Sequence, residues 1–149
     1  MKTILLLLVF TSVGFAQSKE KYFQKQDKFN GERLYYSVNL NLSIQMIEKK
    51  DGEKTNILSF STSHKILVSN PKGLYILFDD GTKLEFPEME IETRAHTSFI
   101  YTAHVQADEE FIEMITSKLI TDLKIAGIDQ PIGSGQAKNF QKACVALLK

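Results

Sequence analysis

The sequence predicts an α+β domain, an antiparallel β-meander or sheet of about 7–9 strands joined late in the chain by two helices. Three observations carry this. Apolar and polar residues alternate with period two from Arg33 to Glu48, which puts one strand face in a core and the other in water. Turn signals then recur roughly every ten residues, the spacing of a meander. After Asp108 the apolar period lengthens to three and four, the spacing of one helix face.

In chain order, Leu34, Tyr36 and Val38, then Leu40, Leu42, Ile44 and Met46, alternate with polar partners such as Asn39, Asn41, Ser43 and Gln45. Lys50-Asp51-Gly52-Glu53 supplies an Asp-Gly hairpin turn. The returning strand, 55–62, carries Leu58 and Phe60 on alternate positions, and 64–69 is expected to add a short strand. Asn70-Pro71-Lys72-Gly73 ends it, because proline donates no ladder hydrogen bond and glycine permits a tight turn. Leu74-Tyr75-Ile76-Leu77-Phe78 is a continuous apolar run of strand length. Asp79-Asp80-Gly81-Thr82 is the second hairpin signal, and strands are expected at 83–86, 88–94 and 97–105. Asp108-Glu109-Glu110 opens a helix near 108–118 by placing carboxylates at its positive end, with Phe111, Ile112 and Ile115 as its apolar stripe. Residues 119–125 return to period two. A C-terminal helix near 134–148, capped by Ser134, presents Ala137, Phe140, Cys144 and Leu147 or Leu148 on one face.

The N-terminus has a different character. Lys2 precedes the apolar run Ile4–Phe10, and small residues follow at Gly14 and Ala16. This is the layout of a secretory signal peptide, with cleavage expected between Ala16 and Gln17. From Ile4 to Phe15 the stretch would span about 18 Å as a helix, against a hydrocarbon core of about 30 Å, so stable membrane insertion after signal removal is not expected. The expected organisation is therefore a signal at 1–16 and one domain at 17–149, exported to the periplasm or secreted.

The chain carries 18 basic and 18 acidic residues, and losing Lys2 leaves 17 against 18. A balanced charge gives no electrostatic footprint for nucleic acid. Cys144 is the only cysteine, so no intramolecular disulfide forms and the core must hold the domain together.

The polar residues offer few chemical constellations. Glu88, Glu90, Glu92 and Arg94 precede His96 and His104. If 88–94 and 97–105 pair, Glu90 or Glu92 faces His104, making Glu92, His96 and His104 the candidates for a metal. The same acidic residues also share one strand face, the pattern of a solvated face. Gly133-Ser134-Gly135 precedes the last helix, where free N–H groups could hold an anion, with Ser134 and Gly135 as candidates. It fits neither the nucleophile-elbow nor the phosphate-loop spacing. Asp79-Asp80-Gly81-Thr82 lacks the ligand ladder and closing glutamate of a calcium loop. Cys144 lies on an apolar helix face, where a thiol is inert. No catalytic residue and no cofactor is assigned.

The signal ending Phe15-Ala16-Gln17, the strand-rich body and the C-terminal helix together resemble the small, uncharacterised exported proteins of bacteria. That resemblance implies a periplasmic or secreted location and carries over no functional residue. A meander followed by helix, strand and tail is also similar in order to the lipocalins, although the chain has no tryptophan for their glycine–x–tryptophan feature. Two functions follow as expectations. The first is a non-enzymatic exported domain binding a partner protein or cell-envelope component. The second is a lipocalin-like carrier of a small apolar ligand between sheet and helices.

Overall fold

The alternation from Arg33 to Glu48 folds as two strands rather than one. A computed structural model describes residues 23–28 and 30–148, the side chain of Phe23 excepted. The expected signal and its Ala16–Gln17 cleavage point lie outside those residues. Leu40 adopts a left-handed backbone, φ 47°, and turns the chain through a tight hairpin. Pairing Asn39 with Leu42 across it sends even-numbered residues outward on the first strand and inward on the second. Val38 is thus exposed while Leu42 is buried, and unbroken alternation in sequence hides a change of face.

Among the described residues the chain forms ten strands and two helices: β1 (Phe23–Gln26), β2 (Arg33–Asn39), β3 (Leu42–Glu48), β4 (Lys54–His64), β5 (Lys72–Phe78), β6 (Lys83–Glu90), β7 (Glu92–Ala95), β8 (Phe99–Gln106), α1 (Glu109–Ser117), β9 (Ile120–Ile125), β10 (Ile128–Pro131) and α2 (Ser134–Leu148). They form two antiparallel sheets, a six-stranded one ordered β1-β2-β3-β4-β8-β7 and a four-stranded one ordered β10-β9-β5-β6. The α+β class stands. The count exceeds the expected seven to nine because short edge strands form at both ends, and the meander is divided between two sheets. Residues 64–69 form no separate strand; β4 runs on to His64 and the chain then loops. Tyr101 holds that loop, its hydroxyl donating to the Ile66 carbonyl at 3.1 Å and accepting from the Val68 N–H at 2.8 Å.

The division occurs at Ile91. The segment expected as one strand over 88–94 ends its first pairing at Glu90 and starts a second at Glu92 on the other sheet. Ile91 is buried between the two. Pro87 sits on β6, an edge strand, where its missing N–H costs no ladder bond.

Both helices and the inner face of the four-stranded sheet pack on one face of the six-stranded sheet. Phe60, fully buried on β4, meets the rings of Phe111 on α1 and Phe140 on α2 at centroid distances of 6.4 and 6.3 Å. Leu58, Leu74, Ile76, Leu123 and Cys144 fill the space around them. Asp108 caps α1, its side chain accepting from the Phe111 N–H. Ser134 is the first residue of α2 rather than its cap; the preceding Gly133 carbonyl receives the Ala137 N–H. Asn39 and Gln136 exchange side-chain-to-backbone hydrogen bonds, tying the start of α2 to the end of β2. Thr62, buried on β4, donates to Gln130 on β10 and joins the sheets by a polar contact.

Candidate functional site

The strand pairing brings Glu92 and His104 together, as expected from the sequence. β7 pairs with β8 so that Glu92 lies opposite Thr102, one diagonal step from His104. His104 Nε2 is 3.1 Å from Glu92 Oε2, and His104 Nδ1 is 2.7 Å from the Ser59 hydroxyl on β4. Arg94 donates to Glu92 at 2.8 Å. Its hydrogen bond, and then that of His104, holds the Glu92 carboxyl below its ordinary range. Donation from Nε2–H to Glu92 leaves Nδ1 free to accept the serine proton, so one tautomer satisfies the row. Ser59 was not singled out from the sequence, because serine alternating along a strand is the ordinary pattern of a wet face.

This row lies on the open outer face of the six-stranded sheet. The His104 and Glu92 side chains are 49% and 43% exposed, so water screens the pair. His96 is elsewhere, in the β7–β8 turn near Thr97. Among the described residues no three His, Cys, Asp or Glu side chains gather to hold a metal ion. Ser134 and Gly135 are exposed at the start of α2 and are not brought to any other functional group by a described hydrogen bond.

The Asp79–Thr82 segment is a structural clasp. Asp80 accepts from the Thr82 N–H and pairs with Lys118 at 2.8 Å, while Asp79 accepts from the Leu119 N–H. The Lys118 hydrogen bond, followed by those from Thr82, holds the Asp80 carboxyl far below the carboxylate range. The β5–β6 turn is thereby locked to the junction between α1 and β9. Cys144 is fully buried, and burial pushes its thiol well above the ordinary range, out of reach of nucleophilic chemistry.

A more enclosed feature lies on the outer face of the four-stranded sheet. The registers put Glu85, Tyr75, Lys124 and Asp129 in one cross-strand row and Lys83, Leu77, Asp122 and Pro131 in the next. With Lys72, and without Pro131, these residues line a groove of about 600 Å³, within the usual size range of small-ligand sites. Half-buried Tyr75 stands at its centre. Gly73, φ 91°, lets the ring lie along the strand: a Cβ there would come within 3.2 Å of Tyr75 Cε2. Three residues of β6, Pro87, Glu88 and Met89, bulge opposite this glycine.

The groove carries both signs of charge. Lys124 pairs with Asp129 at 3.2 Å, and Lys72 with Glu88 at 3.3 Å. Tyr75, Lys83, Glu85 and Asp122 make no side-chain hydrogen bond or ion pair with the described residues. Their polar groups are left to solvent or a ligand. The sequence concealed this site because 74–78 is an unbroken apolar run. Nothing within it marks Tyr75 and Leu77 as the outward residues.

Comparison of the chain with protein-family models, curated proteins and solved structures returned no match. The fold and site therefore define the chain only as an α+β domain of two antiparallel sheets, with a charged groove on the smaller one.

Proposed function

We propose that this chain is an exported binding domain for a component of the cell envelope, held in the groove of the four-stranded sheet. The observation that carries the reading is the outward Tyr75 ring, ringed by Lys83, Glu85 and Asp122, whose polar groups have no partner in the described fold. Preformed concave sites with a central apolar surface and a few convergent polar groups are where ligands bind. The site rests on paired strands, so its geometry is set before the ligand arrives and little ordering cost falls on binding. The signal-like N-terminus supports an address where envelope material is met.

Cosedimentation with an insoluble bacterial envelope fraction tests this. The wild-type chain should pellet with the fraction, and a Lys83→Ala/Asp122→Ala variant of unchanged circular dichroism should stay in the supernatant. Equal retention of both would exclude the groove as the binding surface. Intact mass of the chain recovered from its host checks the export half, with a start at Gln17 expected.

A further inference from the structure

We infer that the occupant of this groove is a saccharide, seated with the apolar face of one sugar ring on Tyr75; the inference rests on the binding reading above. The argument begins with charge. Lys72, Lys83 and Lys124 alternate with Glu85, Asp122 and Asp129 across the groove. A nucleic acid or an anionic lipid surface would meet as many carboxylates as ammonium groups and gain little net attraction. An apolar helix would find Tyr75 and Leu77 as the outward apolar side chains of the groove lining, set among lysines and carboxylates. An extended peptide adding to the sheet would use an edge rather than a face.

A polyhydroxylated ligand matches what is present. Each hydroxyl is both donor and acceptor, so neighbouring hydroxyls can accept from Lys83 and donate to Glu85 or Asp122. The tyrosine face carries negative quadrupole density and attracts the polarised C–H groups on one side of a sugar ring. Its partner surface is held flat because the ring lies over Gly73, where no side chain lifts it. The hydroxyl of Tyr75 has no partner among the described residues and adds one more donor at the rim.

The test is an NMR titration of the folded mature chain with chitotetraose and with cellotetraose, read from backbone amide shifts. Saturable shifts confined to β5, β6, β9 and β10 are expected for at least one of them. Tyr75→Ala should weaken that binding about tenfold, while Tyr75→Phe should stay within about twofold, since stacking rather than the hydroxyl dominates. Asp122→Ala, an exposed change that leaves packing intact, should weaken it as well. Unchanged affinity in folded Tyr75→Ala, or shifts centred on the six-stranded sheet, would overturn the inference. Absence of binding to either sugar, with groove-dependent cosedimentation intact, would overturn the saccharide assignment alone. Absence of both would remove the binding reading with it.

Discussion

Substituting Gly73 by alanine probes the backbone that shapes the groove. The residue sits at φ 91°, where an L side chain is strained whatever space surrounds it. A left-handed backbone costs an L residue about 1–2 kcal/mol. The new Cβ would also lie 3.2 Å from Tyr75 Cε2 and 3.4 Å from the Pro87 carbonyl oxygen. The ring has to lean away by a few tenths of an ångström, while 3.4 Å from the carbonyl is ordinary van der Waals contact, so the steric part adds about 0.5 kcal/mol or less. Loss of unfolded-state freedom returns about 0.4–1 kcal/mol. The net expectation is destabilisation of about 0.5–2 kcal/mol, which for a domain of this size lowers Tm by roughly 2–8 °C. Urea unfolding of Gly73→Ala, Tyr75→Ala and the double variant separates the contributions. Most of the loss should persist when the ring is absent, with a coupling of about 0.5 kcal/mol or less. A Gly73→Ala protein as stable as wild type would refute the left-handed backbone at 73 and the ring placement built on it.

Three further outcomes follow from contacts elsewhere in the fold. Tyr101→Phe removes the hydroxyl that serves both Ile66 and Val68 and should cost about 0.5–1.5 kcal/mol in urea unfolding, because the partly exposed loop groups lose their hydrogen bonds but can turn to water. Asp80→Asn should lower Tm at neutral pH by breaking the Lys118 clasp. Because the folded carboxyl titrates below its unfolded value of about 4, this contribution is present above about pH 4 and fades as pH falls toward the depressed folded value. The Tm gap between wild type and variant should therefore close on acidification; a gap that widens would contradict the ion pair. Cys144 should react with a thiol reagent only at the rate of global opening, and rapid labelling of the native chain would show that α2 is not packed as described.

Helix α1 was legible because its cap, its acidic first turn and its apolar stripe all agree, and Asp108, Phe111 and Ile115 take the expected places. Helix α2 was equally plain from Ala137, Phe140 and Cys144. The hairpins at Asp51-Gly52 and Asp80-Gly81 follow from glycines at φ 86° and 82°. The turn at Leu40 was not legible, since a left-handed leucine violates local preference and is held there by the flanking ladder. The passage of the chain between sheets at Ile91 was also hidden, because an alternating strand gives no sign of which sheet it pairs with. At the sites, alternation was enough to put Glu90 or Glu92 opposite β8 and near His104, without choosing between them. It could not reveal Tyr75, whose outward direction depends on β5 being buried on one face only.

Hydrogen exchange of the wild-type chain, with and without an isolated envelope fraction, tests the central claim most directly. The account predicts slowed exchange in β5, β6 and β9, around Tyr75, Glu85 and Lys124, with β3 and β8 unchanged. Protection centred instead on β8 around His104, or none in the four-stranded sheet, would contradict it.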